Sequence, residues 1–305
     1  MNSTLSRIDA PLPPIVSSRF ALLADYYELT KPRIIGLLLV TTYAAMIMAA
    51  HGLPPLGITI VTLFAGALAA GSAGAFNCVI DRDIDRLMRR TMHRPVATGR
   101  IGVVPALIFA VVLEIISFTL LYTHANPLAA WLSLSGNVYY VVIYTLWLKR
   151  TTSYNIVIGG AAGSIPPLVG WAAMTNHIDA PALALFALIF LWTPPHFWAL
   201  ALMTETDYDR AKIPMLPNVH GIERTKREIL IYTIVMVLMS LSLTPLGILG
   251  LWYFFPAAIL GGIFIADAVR LLHGPTAPLA RMTFKYSLLY LALMCVAMVA
   301  DRIIS

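Results

Sequence analysis

Asn77, Asp81 and Asp85 stand at one-turn spacing where a long apolar run gives way to FNCVIDRDIDRLMRRTMHRP. On an α-helix, positions four and eight residues on are turned by about 40° and 80° and raised by about 6 and 12 Å. One amide and two carboxylates therefore share a face at the end of an apolar helix. Magnesium and similar hard cations take oxygen ligands, often one or two protein carboxylates completed by phosphate and water. Carboxylates stacked this way repel one another unless a cation sits between them. A solvated helix end, with Asp81, Asp83 and Asp85 paired to Arg82 and Arg86, accounts for the acids alone equally well. The neighbours favour a site. Arg89, Arg90, Arg94 and Arg100 follow directly, and Lys149 and Arg150 end another apolar run. The arginine fork matches phosphate and carboxylate oxygens. Acids and bases together describe a place to hold diphosphate through divalent metal, with direct basic contacts besides.

A second cluster, Glu205, Asp207 and Asp209 with Arg210 and Lys212, lies in TETDYDRAKIPMLPNVHG. It follows the sixth apolar run as the first cluster follows the second, and two facing clusters would hold two magnesium ions on one diphosphate. Its spacing is less regular, and Asp207 is its strongest candidate. His196, in WTPPHFWAL, lies about seven residues inside the sixth run. Ionisable groups at membrane depth face a cavity or a partner, so a substrate contact and a hydrogen-bonded interior histidine both fit. Glu114, with no motif around it, reads as a polar contact to another helix.

The elements that position these residues are membrane helices. The chain has 305 residues, 59% hydrophobic and 12% charged, against about one quarter charged in soluble domains. Apolar runs near the roughly 20 residues that span a bilayer occur at 34–50, 56–79, 103–123, 127–148, 155–174, 181–203, 229–249, 251–272 and 284–303. The expectation is an all-α bundle of nine transmembrane helices around a central cavity open to the cytosolic side. With the amino terminus in the cytosol, 20 of the 21 Lys and Arg fall inside and Arg302 alone outside, as the positive-inside rule requires. The net charge of +6 thus reads as topology, with no nucleic-acid partner. Residues 1–28 read as a cytosolic, poorly ordered head and 29–305 as one membrane domain. Cys78 and Cys295 have neither pairing nor ligand spacing. With no signal or transit pattern in the head, a bacterial plasma membrane is the simplest address. Small-xxx-small spacing at Gly66, Ala70 and Gly74, and at Gly159 and Gly163, favours close helix packing.

These segments together resemble the UbiA-type intramembrane prenyltransferases, and within them the branch that farnesylates protohaem IX. The likeness runs through LTKPRI at 29–34, NCVIDRDIDRLMRRTMHRP at 77–95, YTLWLKRTTSYN at 144–155, the GxxxGxxPPxxGW pattern at 159–171, WTPPHFWALA at 192–201 and DYDRAKIPMLP at 207–217. It covers nearly the whole chain from Leu29 onward. The acidic motif specifies the superfamily, whereas RTMHRP, WTPPHFWAL and KIPMLP point to the haem branch. The resemblance implies transfer of farnesyl from farnesyl diphosphate to a vinyl group of haem B, with water addition, giving haem O. It implies Mg2+ on Asn77, Asp81, Asp85 and Asp207, with Arg94 catalytic beside them. Lys31, Arg33, Arg89, Arg90, Lys149, Arg150, His196, Arg210 and Lys212 would bind diphosphate or haem. The lipid bilayer is the setting, and haem A synthase or terminal-oxidase assembly the expected associates. Where many relatives carry a second D-x-x-x-D, Asp207 is followed four residues on by Ala211. A prenyltransferase for a quinone precursor is the alternative within the class. A transporter is the alternative outside it, disfavoured because charge gathers on one face and leaves the other with almost no ionisable groups for a gate.

Overall fold

A computed structural model describes residues 19–304, and the regular structure among them is entirely helical. The chain runs through α1 (Arg19–Leu29), α2 (Pro32–Ala50), α3 (Leu56–Ile80), α4 (Arg82–Asp85), α5 (Pro95–Thr98) and α6 (Val103–His124). Then come α7 (Pro127–Val138), a π-helix (Tyr139–Leu148), α8 (Lys149–Thr151), α9 (Asn155–Thr175) and α10 (Ala180–Met203). It closes with α11 (Glu205–Arg210), α12 (Leu216–His220), α13 (Ile222–Ser242), α14 (Leu251–His273) and α15 (Thr276–Ile304). Helix is what such apolar runs must adopt in lipid, since only then are backbone polar groups satisfied within the segment.

Among the described residues, α2, α3, α6, α9, α10, α14 and α15 are the seven helices long and apolar enough to cross a membrane. The other two predicted runs are helical in a different way. The run at 127–148 changes from α- to π-helix at Tyr139. The run predicted at 229–249 is displaced: α13 begins at Ile222, so Glu223, Arg224, Lys226, Arg227 and Glu228 form its first turns, and it ends at Ser242. The last helix starts at Thr276 instead of 284, which places Arg281 on it. The end of the head is helical. Residues 19–29 form α1, tied down by Arg100, whose Nε donates to Asp25 at 3.0 Å and whose Nη2 donates to Glu28 at 3.4 Å; residues 1–18 lie outside the described residues.

Helices α9 and α10 are the interior pair, each 61% buried over its apolar window, whereas α6 at 17% faces outward. Two glycines set the approach of elements that carry the site. A Cβ on Gly74 would stand 3.0 Å from the carbonyl oxygen of Leu29 and 3.1 Å from that of Thr30, so the turn before α2 rests directly on α3. A Cβ on Gly159 would collide with the Tyr144 ring, so α9 and the π-helix pack in contact. Gly163, expected to pack likewise, has nothing within 4 Å of such a Cβ. At the acid-bearing end, Ile84 and Met88 share one apolar cluster with Trp198, Tyr208, Ile213, Met215 and Leu216. Both acidic segments are thereby anchored on the same core.

Candidate functional site

Helix α3 stops at Ile80 because Asp81 takes φ −86° and ψ 6°. The one-turn bonding nevertheless continues, from Asp81 N to Asn77 O at 2.9 Å and from Asp85 N to Asp81 O at 2.7 Å. The stacking expected from the spacing therefore survives the break. Asn77, Asp81 and Asp85 are 3%, 0% and 2% exposed, which excludes a solvated helix end for these three. Asp83, between them, is exposed and takes the surface role, accepting from Arg150 Nη1 and Nη2 at 2.8 Å each. That hydrogen bonding holds the Asp83 carboxyl down at about 2.

Each buried oxygen-bearing side chain meets a cation from elsewhere in the chain. Asn77 Nδ2 donates to Asp81 Oδ2 at 2.8 Å and to Thr145 Oγ1 at 3.1 Å. The Thr145 hydroxyl donates to the Tyr140 carbonyl at 2.9 Å, so toward Asn77 it can only accept. This fixes the amide, and Asn77 Oδ1 turns to accept from Lys31 Nζ. Lys149 Nζ donates to Asp81 Oδ2. Arg94 Nη1 bridges both oxygens of Asp85, at 3.0 and 2.9 Å. The five-residue reach from Thr145 back to Tyr140 matches the i→i+5 geometry of a π-helix, a form concentrated at functional sites. It aims Thr145 and Lys149 together at the end of α3.

The second cluster is built differently. Asp207 is buried, and its two oxygens accept from the backbone amides of Arg89 at 3.2 Å and Arg90 at 3.3 Å, with Arg210 Nη1 at 3.7 Å. It pins one loop to the other. Asp209, Arg210, Lys212, Arg33, Arg89 and Arg90 are exposed at this end. Among the described residues, no three acids, histidines or cysteines converge to hold a metal by themselves. The residues still fit magnesium shared with a diphosphate. Asp81 Oδ1 is buried without a hydrogen-bond donor, with only Arg150 Nη2 at 3.8 Å, and magnesium usually takes one or two carboxylates and completes its shell with phosphate and water.

His196 lies apart from the acids. Its ring stacks on Trp192, centroids 4.4 Å apart, and on Phe284 at 4.7 Å, while Nδ1 meets Ser287 Oγ at 2.6 Å. Glu114 is indeed an interhelical contact, accepting from Asn137. Sequence reasoning missed Thr145 and Ser287. Both lie in apolar runs, and the signal for Thr145 was its place one turn before Lys149.

Relatives share this arrangement of helices and much of the sequence. The chain is 54% identical to a protoheme IX farnesyltransferase of Gloeobacter violaceus over 98% of its own length and 97% of the relative's. It is 52% identical to one of Picosynechococcus sp., covering 96% and 93%. A solved structure of digeranylgeranylglyceryl phosphate synthase superposes with a TM-score of 0.76 at 20% identity, over 93% of this chain and 99% of that one. A UbiA homolog from Archaeoglobus fulgidus bound to GPP and Mg2+ superposes with a TM-score of 0.60 at 15% identity, over 90% and 99%. These two likenesses establish the fold. The sequence pattern of the UbiA prenyltransferase family matches residues 38–294; with relatives this close over nearly the full length, the chain belongs to that family.

Proposed function

We propose that this protein transfers the farnesyl group of farnesyl diphosphate to a vinyl group of haem B, with addition of water, giving haem O and diphosphate. The observation that carries the chemistry is the buried Asp81, with one oxygen lacking a donor, set among Lys31, Lys149 and Arg94 at the end of an apolar helix. The names of the near full-length relatives support haem as acceptor.

Asn77, Asp81 and Asp85, with Asp207 behind the Arg89–Arg90 turn, would hold Mg2+, which when bound neutralises charge on the departing diphosphate. Lys149 and Lys31 offer ammonium hydrogens to the same diphosphate, stabilising negative charge where it develops. Arg94, gripped on Asp85 by one nitrogen, keeps its remaining donors for an oxygen of the leaving group. The carbon–oxygen bond breaks and leaves an allylic cation, which the surrounding apolar helices shield from water. The vinyl π electrons attack that carbon. Water adds to the new cation beside the porphyrin and loses a proton, leaving a hydroxyl. The exposed Arg33, Arg89, Arg90, Arg150, Arg210 and Lys212 divide between diphosphate and haem propionates.

The protein is a multi-pass membrane protein, and the reading extends to nine spans in a bacterial inner membrane, amino terminus cytosolic and carboxyl terminus outside. Haem A synthase or terminal-oxidase assembly is the expected associate. The test is a product assay on purified protein with magnesium and labelled farnesyl diphosphate, offered haem B or 4-hydroxybenzoate. Label in haem O is expected; label in the phenol alone overturns the reading.

A further inference from the structure

Asn77 is buried, and both hydrogens of its amide are committed. Nδ2 donates to Asp81 Oδ2 at 2.8 Å and to Thr145 Oγ1 at 3.1 Å. Turning the amide over would exchange its oxygen for its nitrogen, so the partners of Nδ2 decide where Oδ1 faces. Two of the groups around Asn77 have other work. Asp81 Oδ2 also accepts from Lys149 Nζ, and Lys31, which donates to Asn77 Oδ1, is assigned above to the diphosphate. Thr145 has no such second role. It is uncharged and 0% exposed, and its one hydrogen goes to the Tyr140 carbonyl at 2.9 Å. A hydroxyl whose hydrogen is given to a carbonyl can only accept from any further partner. It takes an N–H from Asn77 and would repel an oxygen in the same place. The bond to Tyr140 ties that hydroxyl to the backbone of the π-helix, Tyr139–Leu148, so the acceptor cannot swing away with the charged groups.

We propose that Thr145 is a positioning residue for the metal site: it holds the Asn77 amide with Nδ2 inward and Oδ1 available to magnesium while Asp81 and Lys31 exchange partners. The proposal rests on the reading of Asn77 as a magnesium ligand and adds the group that orients it. Thr145 touches neither metal nor diphosphate and acts through Asn77. An amide oxygen has two lone pairs, so Oδ1 can serve Lys31 and a cation together. The same bonds account for an amide at position 77 beside two carboxylates. Thr145 and Asp81 both accept there, so the position needs two N–H donors and one oxygen, which asparagine has and aspartate lacks.

The experiment uses full-length protein in nanodiscs and measures Mn2+ affinity in the presence of pyrophosphate by electron paramagnetic resonance. Thr145→Val keeps the shape and removes the hydroxyl. It should weaken Mn2+ binding about tenfold, the lower end of the usual effect of losing a partner that orients a ligand, and Thr145→Ser should restore it. In an Asn77→Ala background, Thr145→Val should change the affinity by less than about twofold, because no amide remains to be oriented. Native affinity in Thr145→Val, or an equal loss with and without Asn77, overturns the positioning role and leaves the metal reading standing. No Mn2+ binding by the native protein overturns the metal reading and this proposal with it. Where Asn77→Ala binds too weakly for the comparison, the loss in Thr145→Val and its rescue by Thr145→Ser decide alone. Should Thr145→Val fail to fold, Thr145→Cys, which puts a weak sulfur acceptor in place of the oxygen, is read against the same controls.

Discussion

The acidic segments after α3 and α10 have similar composition and are arranged differently. In the first, carboxylates and an amide at i, i+4 and i+8 stay stacked, buried, and faced by cations from three other places in the chain. In the second, acids at i, i+2 and i+4 splay apart on the six-residue α11: Asp207 turns inward onto two backbone amides, while Asp209 stays in solvent. A one-turn period gathers charge on one face, and a half-turn period scatters it. Composition alone cannot tell the two apart.

The largest expected effect tests the first segment. Asp81→Ala should lower turnover by about a thousandfold, the scale of losing one preorganised electrostatic group, and abolish metal-dependent diphosphate binding while membrane insertion stays normal. Mn2+ binding with and without pyrophosphate, read by electron paramagnetic resonance, checks it; full activity would remove Asp81 from the site. Arg94→Lys comes next. It keeps the charge and loses the two-oxygen grip on Asp85, and a charged hydrogen bond of about 1.5–3 kcal/mol implies a roughly 10- to 100-fold fall in kcat/KM.

Asp207→Ala tests whether the segments differ as described. Loss of the acceptor should expose the Arg89 and Arg90 amides to faster hydrogen exchange, at about 1–3 kcal/mol of local stability for buried donors left unpaired. Mn2+ binding should weaken but not vanish in this variant, since Asn77, Asp81 and Asp85 remain; its loss to the extent seen for Asp81→Ala would make the two segments equal in the metal site and erase the distinction. A smaller effect is expected from pH. Because the folded-state pKa of Asp83 is depressed to about 2 by Arg150, the pair's contribution is present above the unfolded carboxyl's value and lost as pH falls through about 2. Since Asp83 is 61% exposed, the contribution is under about 1 kcal/mol, and Asp83→Asn should flatten the acid limb of a thermal-unfolding series by no more. Asp209→Ala is expected to change stability by no more than about 0.5 kcal/mol and leave activity unaltered.

The membrane-helical fold and the sharing of one face by Asn77, Asp81 and Asp85 could be read from sequence, because hydropathy and helical period are local properties. Where the reading slipped, a non-local force had intervened. Residues 19–29 form α1, where Arg100, far along the chain, reaches Asp25 and Glu28. The α13 boundary moves because a helix can carry its charged first turns beyond an apolar window. Gly163, identical in type to Gly159, has open space where a Cβ on Gly159 would meet the Tyr144 ring.

Sequence by itself determined that this chain lives in a bilayer and that an oxygen-rich face closes α3. Only the tertiary structure decided which cation answers which acid, that Asp207 braces a loop, and that Ser287 meets His196. The reason is distance along the chain. Lys31 and Asn77, Asn77 and Thr145, Asp81 and Lys149, and His196 and Ser287 are 46, 68, 68 and 91 residues apart, and no periodicity reports which helices will lie side by side.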